Sequence, residues 1–187
     1  MRRVFGKYIV DLARKDKDVI LLVGDIGYGV FDQYREEFPD RFINFGLTEQ
    51  TMIGAASGMA LEGLKPYVYT ITPFLIERPF EQVKLDIDQQ NVNVKLVGYA
   101  DYPDQGPTHA EIDAPYMMDM FKNILSCFPK DAQETAAMLD FMYRWEGPAF
   151  ISLKKAKPNI VFKKDGSGRE LKPHRLEKGI KVSFAMI

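Results

Sequence analysis

Short apolar runs alternate with segments of helical periodicity along residues 1–155, and this alternation restricts the possible fold more than any other feature. The run "VILLVG" (residues 19–24) is continuous, as in a strand that is covered on both faces. Five further runs are strand-like: "RFINFG" (41–46), "PYVYTIT" (66–72), "VNVKLVG" (92–98), "NILSCF" (123–128) and "PAFISLKK" (148–155). Helical patterns cover residues 5–15, 31–38, 49–61, 79–90 and 130–145. The alternation predicts an α/β fold: a mainly parallel, doubly wound sheet of about six strands with helices on both faces.

The bulk composition excludes several classes of protein. With 187 residues, of which 46% are apolar and 27% charged, the chain is long enough for one globular domain with its own core. A net charge of −1 offers no basic surface for nucleic acid or for an acidic membrane. No apolar run approaches the roughly 18–20 residues of a membrane span, and the amino-terminal segment is amphipathic rather than a secretion signal. We therefore expect a cytoplasmic protein that binds neither nucleic acid nor membranes.

Cysteine and histidine are too few for a disulfide framework or a His-rich metal site. The single cysteine, Cys127, lies in the apolar run "ILSCF" and is expected to be a buried structural thiol rather than a nucleophile. The two histidines have no neighbouring cysteine cluster, so we predict no metal ligands in this chain.

The loops that follow the strands are the candidate ligand-binding segments, because ligands of such folds lie beyond the carboxyl ends of the strands. These loops span residues 24–28, 46–49, 71–78 and 98–113. The first, in "VGDIGYG", has neither the GxGxxG spacing of dinucleotide sites nor a P-loop. Its Asp25 could be a ligand group or could simply form the turn.

Glu49 is the strongest single candidate. It stands in "FGLTEQTMIGAASGMA", after a possible helix cap at Thr48 and before a helix face of Gly, Ala and Ser at residues 54–58. The acid could merely match the positive end of the helix dipole. Alternatively, the small face lets another backbone approach and bury the carboxyl at an interface, where it would be a proton-handling group.

Three further residues have both a functional and an ordinary interpretation. His109, in the loop "GPTHAEID", could donate a hydrogen bond or transfer a proton, or it could be a surface histidine. Phe74, in "TPFLIERPFEQV", could stack on a flat ring or pack in the core. Arg78, in the same segment, could bind an anion or cover the start of a helix.

The order of these motifs resembles one family. The stretch "FPDRFINFGLTEQTMIGAASGMALEGLKPYVYTITPFLIERPFEQVKLDI", followed by "GPTHAEID" and "EGPAFISLKK", is similar to the pyrimidine-binding domain of transketolase-like, thiamine-diphosphate enzymes. The similarity covers residues 4–155, about four-fifths of the chain. The motifs "RFINFGLTEQ" and "GPTH" are specific in this order.

The resemblance implies roles for the candidate residues. Glu49 would hydrogen-bond the aminopyrimidine ring and promote loss of the proton from the thiazolium carbon. Phe74 would stack on that ring, although an ambiguity of one position leaves Leu75 as the alternative. Asp25 would lie near the thiazolium or the substrate, and Arg78 is a further candidate for cofactor binding. His109 would hydrogen-bond the substrate oxygens.

The resemblance also implies a partner. In this family a separate domain holds the diphosphate and Mg²⁺ through a GDG-to-Asn motif, which is absent here. We therefore predict a pyrimidine-binding domain at residues 1–155 and a linker or tail at residues 156–187, leading toward an absent or truncated carboxyl-terminal domain. The chain would act with a separate diphosphate-binding subunit, as a heterotetramer, on a small sugar or keto substrate.

Two departures from the family pattern concern the substrate. Asp101 and Tyr102 stand where transketolases often carry a second histidine, and Lys154 and Lys155 stand where an arginine often binds a sugar phosphate. Three functions remain open. The first is a subunit that transfers a two-carbon ketol unit, the second is the beta-type component of a 2-oxoacid dehydrogenase or decarboxylase, and the third is a non-catalytic interaction module.

Overall fold

The structure, a computed structural model, describes residues 1–100 and 102–153. The features noted above at Asp101, Lys154 and Lys155, and the tail at residues 156–187, lie outside the described residues.

Six strands of the described chain form one parallel sheet, as the sequence predicted. They are β1 (Val19–Val23), β2 (Phe42–Asn44), β3 (Lys65–Thr70), β4 (Lys95–Gly98), β5 (Leu125–Cys127) and β6 (Ala149–Ser152). Their order in the sheet is β2-β1-β3-β4-β6-β5, and every neighbouring pair is parallel. The chain leaves β1 toward β2 on one side and returns to β3 on the other. The sheet therefore has a topological switch point between β1 and β3, where ligands of such folds bind.

Helices cover both faces of the sheet. They are α1 (Arg2–Lys15), α2 (Asp32–Glu37), α3 (Glu49–Leu61), α4 (Thr72–Ile76), α5 (Phe80–Gln82), α6 (Ala114–Asp119) and α7 (Ala132–Arg144). A π-helical segment, Val83–Gln89, continues α5. Short 3₁₀ turns occur at Pro39–Arg41, Pro103–Gln105 and Pro107–His109.

Two apolar cores, one on each face, hold these layers together. The side chains of β1 alternate between them, because successive residues of a strand point to opposite faces. Val19, Leu21 and Val23 pack with α1, α2 and α7, whereas Ile20 and Leu22 pack with α3, α6 and the π-helical segment. All five residues of β1 are buried, so the strand has no polar face, as its continuous apolar run predicted.

The segment after β3 differs from the prediction. The expected strand at residues 66–72 ends at Thr70, and a short helix that was not predicted, α4, begins at Thr72. Proline is tolerated in the first turn of a helix, so Pro73 does not prevent it. The helix expected at residues 79–90 forms, but most of it is π-helical, and Ser57 Oγ donates a hydrogen bond of 2.8 Å to the Asp86 carbonyl there.

Candidate active site

Glu49 lies at the carboxyl end of the sheet, and its side chain is almost fully enclosed. It is the first residue of α3, which follows β2 after a turn that Gly46 makes with a φ of +64°. Only 1% of the residue is exposed. The carboxylate is therefore already buried within the chain itself, and burial against another protein surface stays a prediction.

The charge of Glu49 is balanced by one side chain. Arg78 Nη1 donates a hydrogen bond of 2.8 Å to Glu49 Oε1, and among the described residues it is the hydrogen-bonding partner that the Glu49 side chain has. The Arg78 side chain is 35% exposed. A buried carboxyl group is costly unless it is paired, so this contact offsets part of the cost of burying the Glu49 side chain.

The same guanidinium also lies against an aromatic ring. The central carbon of the Arg78 guanidinium is 3.5 Å from the centre of the Phe74 ring, within the range of a cation–π contact. Phe74 is half-buried, on α4. The edge of its ring meets His109, with centroids 4.9 Å apart and planes at 62°. Glu49, Arg78, Phe74 and His109 thus form one continuous group of contacts, which we call the carboxyl-edge cluster.

His109 is held by a folded loop. The Tyr102 amide donates to the His109 carbonyl at 2.8 Å, and Thr108 Oγ1 is 3.2 Å from His109 Nδ1. Glu77, at the end of α4, accepts a hydrogen bond of 2.8 Å from the Ile112 amide. The loop is therefore anchored to the helix that carries Phe74, and this brings His109 to the ring.

Asp25 belongs to a neighbouring group of contacts. Its backbone has a φ of +51°, in the left-handed region that favours glycine. Asn44 links it to the next loop: Asn44 Oδ1 accepts from the amides of Asp25 (3.0 Å) and Gly46 (2.9 Å), and Asn44 Nδ2 donates to Asp25 Oδ1 at 3.1 Å. Tyr28 also donates to Asp25 Oδ1, at 3.3 Å. The exposed Asp25 therefore lies beside the turn that leads to Glu49.

The structure differs from the sequence-based expectation at Thr48 and distinguishes Leu75 from Phe74. Thr48 stands at the N-cap position of α3, but its side chain makes no capping bond, and its hydroxyl donates instead to the Phe45 carbonyl at 2.7 Å. Leu75 has no exposed surface and packs in the core beneath α4, whereas Phe74 faces Arg78 and His109.

Asn44 and Glu77 were not predicted as site residues from the sequence. An Asn two residues before a Gly at a strand end is a signal for a side chain that bonds its own turn, and it could have identified Asn44. Glu77 carries no such signal, because its partner Ile112 is 35 residues away in the sequence.

Two kinds of feature are absent from the part of the chain that the structure describes. No group of three or more His, Cys, Asp or Glu side chains in residues 1–100 and 102–153 is arranged to hold a metal ion. Within the same ranges, no helix has both the length and the apolar character needed to cross a membrane.

Comparison with known proteins gives consistent matches. Residues 1–159 match the family model of the transketolase pyrimidine-binding domain. The chain is 40% identical over 129 residues to one of the subunits of apulose-4-phosphate transketolase from Actinobacillus succinogenes, an alignment that covers 67% of this chain and 42% of that protein. It is 34% identical over 158 residues to 1-deoxy-D-xylulose-5-phosphate synthase of Acinetobacter baumannii, covering 79% of this chain and 24% of the synthase.

Solved structures give the same result. A protein described as a split-gene transketolase, an inactive beta4 tetramer, superposes with a TM-score of 0.74 at 28% identity, over 88% of this chain and 54% of that one. Transketolase from Campylobacter jejuni, at 19% identity, shares the fold with a TM-score of 0.73 over 83% of this chain and 25% of its own. The chain therefore spans about half the length of the subunit-type relatives and about a quarter of the longer ones.

Proposed function

The chain belongs to the transketolase pyrimidine-binding domain family, and on this premise we propose that it is the pyrimidine-domain subunit of a heteromeric, transketolase-like enzyme. The enzyme would transfer a two-carbon ketol unit between small sugar or keto substrates, using thiamine diphosphate. One observation carries the proposal: a buried carboxylate, that of Glu49, lies next to a half-buried aromatic ring, that of Phe74, with one flat group touching both.

The carboxyl-edge cluster fits an aminopyrimidine ring. The guanidinium of Arg78 is planar, carries N–H donors, stacks on Phe74 and hydrogen-bonds Glu49. An aminopyrimidine has the same three properties: it is flat, it carries an amino group, and its ring nitrogens form hydrogen bonds. The carboxylate and the phenyl ring therefore offer the hydrogen-bond acceptor and the stacking face that such a group needs.

Glu49 is the proposed proton-handling residue. Thiamine diphosphate, when bound, supplies the carbon nucleophile for ketol transfer. Glu49 holds the ring in place through its carboxylate oxygens and moves a proton there. Its 1% exposure excludes bulk water, which strengthens the hydrogen bond. Phe74 is the proposed stacking residue, and the core position of Leu75 supports this choice over the alternative.

His109 and Asp25 are the proposed substrate-side residues. His109 is half-buried and contacts Phe74, so its imidazole lies at the edge of the proposed ring site, where it could hydrogen-bond a substrate. Asp25 is exposed beside the turn before Glu49, where its carboxylate can face the thiazolium or the substrate. We propose both roles on position and residue type.

A separate subunit completes the proposed enzyme. We propose that the partner binds the diphosphate and Mg²⁺ and that residues 1–155 form the pyrimidine domain, in keeping with the family match over residues 1–159. The solved relative described as an inactive beta4 tetramer supports the need for a second kind of subunit. The proposed assembly is a heterotetramer in the cytoplasm.

Calorimetric titration of thiamine diphosphate with magnesium tests this proposal. It is run on the chain alone and on the chain co-purified with the product of a neighbouring gene that encodes a diphosphate-binding subunit. We expect binding in the pair and little or none in the chain alone, because the diphosphate contributes much of the affinity. If the pair forms but binds no cofactor, the chain is an interaction module and the proposal is wrong.

A further inference from the structure

Arg78 makes two contacts at once that the proposed function assigns to the cofactor. It hydrogen-bonds Glu49 at 2.8 Å, and its guanidinium covers one face of the Phe74 ring at 3.5 Å. The guanidinium is the group that bridges the carboxylate and the ring. A ring ligand that stacks on this face of Phe74 and also hydrogen-bonds Glu49 therefore needs the volume that the guanidinium occupies.

Two flat groups cannot occupy the same position, so one must leave. We infer that Arg78 is an internal competitor of the pyrimidine: it fills the ring site in the unliganded chain and swings out when the ring binds. This inference rests on the proposed function and assigns Arg78 a role opposite to that of a cofactor-binding residue. Arg78 would reduce the affinity for the pyrimidine rather than contribute to it.

The position of Arg78 in the fold permits this movement. Its side chain is 35% exposed, whereas Glu49 is 1% exposed and fixed on the first turn of the 13-residue helix α3. The long arginine side chain can rotate into water without moving the backbone, and its charge is well solvated there. The backbone of Arg78 stays in place, since its amide donates to the Pro73 carbonyl at 3.1 Å.

The competing contact also has a function in the unliganded chain. A buried carboxylate without a partner is destabilising, and an exposed face of Phe74 would add apolar surface at the site. Arg78 satisfies both groups until the ligand arrives. The ligand must then replace the hydrogen bond and the stacking contact, so the net affinity for the ring is reduced by the free energy of the displaced contacts.

Binding of a methylated aminopyrimidine that lacks the thiazolium and the diphosphate tests this inference. The probe is titrated by ligand-observed NMR into the full chain, because it reports on the pyrimidine contacts without the partner subunit. Four proteins are compared: the unmodified chain, Arg78→Ala, Arg78→Lys and Lys84→Ala. Arg78→Lys keeps the charge beside Glu49 but removes the flat stacking surface. Lys84 is an exposed cation on the adjoining π-helical segment, so Lys84→Ala is a matched loss of charge.

We expect Arg78→Ala to bind the probe about fivefold to tenfold more tightly than the unmodified chain. Arg78→Lys should show a smaller gain of about twofold to threefold, and Lys84→Ala no change. Because Arg78→Lys retains the ion pair, it keeps the test valid if Arg78→Ala folds poorly. Equal or weaker binding by both Arg78 variants would overturn the inference and would identify Arg78 as neutral or as a binding residue.

A second arm separates this inference from the proposed function. The same four proteins, each with the partner subunit, are titrated with thiamine diphosphate and magnesium. If the unmodified pair binds the cofactor but neither Arg78 variant tightens either ligand, the competitor role is wrong and the proposed function stands. If no protein binds the probe or the cofactor in either arm, both proposals are wrong.

Discussion

Two buried ionisable side chains, Lys95 and Glu49, are equally inaccessible but have different kinds of hydrogen-bonding partner. Each is 1% exposed. Lys95, on β4, donates to two main-chain carbonyls, those of Trp145 at 2.6 Å and Gly147 at 2.8 Å. Glu49 accepts a hydrogen bond from the side chain of Arg78, which is 35% exposed. Main-chain carbonyls are fixed in the fold, whereas a partly exposed arginine side chain can rotate away. We therefore infer that the first pairing stabilises the fold, and we propose that the second can be exchanged for a ligand.

The surroundings of the two residues show the same contrast. Toward the amino end of the sheet, Asp16 accepts hydrogen bonds from Lys65 at 2.5 Å and Tyr143 at 2.9 Å, which joins the end of α1 to β3 and α7. Among the described non-glycine residues, two at the carboxyl end, Asp25 and Ala100, have positive φ values, against one, Asn91, before β4 at the other end. Strained backbone of this kind persists where the surrounding structure holds it in place, often at functional sites.

The largest effect that we expect is on turnover, from replacing Glu49, the carboxylate that pairs with Arg78. Glu49→Gln keeps the size of the side chain and an oxygen that accepts from Arg78, so the fold should remain intact. A neutral amide cannot take up and release the proton, and turnover of the chain with its partner should fall about 100- to 10,000-fold. Steady-state kinetics and a denaturant titration of the same protein measure the two effects. A near-normal turnover would remove Glu49 from the mechanism.

Replacing Lys95, which donates to two main-chain carbonyls, should lower the stability of the fold and leave turnover unchanged. Lys95→Met fills a similar volume but leaves the carbonyls of Trp145 and Gly147 without their donor. We expect the free energy of unfolding to fall by about 3 kcal/mol. Urea denaturation measures this loss, with Lys84→Met as the control, since Lys84 is exposed. A change below the error of the urea experiment would mean that the two hydrogen bonds do not offset the cost of burying Lys95.

Replacing His109 tests whether one part of the carboxyl-edge cluster acts on the substrate while another part binds the cofactor. His109→Ala removes the imidazole and its contact with Phe74 but leaves Glu49 and Arg78 paired. We expect kcat/KM for the substrate to fall about 10- to 30-fold, with the Kd of thiamine diphosphate almost unchanged. Titration calorimetry supplies the Kd and initial rates supply kcat/KM. A weaker cofactor affinity with normal turnover at saturation would contradict the substrate role of His109.

The sheet and the positions of the loops were predictable from the sequence because their signals are local. "VILLVG" specifies a strand buried on both faces, and β1 is such a strand. Glu49, Phe74 and His109 were identified as candidates from their positions in the segments that follow strands, and the family resemblance added an expected role for each. Each of these predictions depends on residues that are close in sequence or on a motif that is a short contiguous stretch.

Contacts between distant segments were not predictable in the same way. The Glu49–Arg78 pair joins residues 29 positions apart, and the Lys95–Gly147 bond joins residues 52 apart. "VNVKLVG" indicates a buried strand, but nothing in it indicates that Lys95 will point inward to two carbonyls. Such pairs depend on the packing of whole elements, which a pattern in a single sequence does not encode in local form.

The smallest effect that we predict is a pH dependence of stability that comes from Lys95. Burial lowers the pKa of Lys95 from 10.5 to about 7 in the folded chain. Above pH 7 the unfolded chain therefore binds more protons at this residue than the folded chain does, and stability rises with pH. Between about pH 7 and about pH 8.5 the free energy of unfolding should increase by about 1.5 kcal/mol.

The upper limit of this window comes from Cys127, which is buried near Lys95. Burial raises the pKa of the Cys127 thiol to about 12, so above about pH 8.5 the unfolded chain loses a proton that the folded chain keeps. That difference lowers stability as pH rises and opposes the effect of Lys95. Urea titrations at several pH values below this limit should show the rise in the unmodified chain and a flat profile in Lys95→Met. Equal slopes in the two proteins would mean that Lys95 stays charged in the folded state, held as an ammonium by the carbonyls of Trp145 and Gly147.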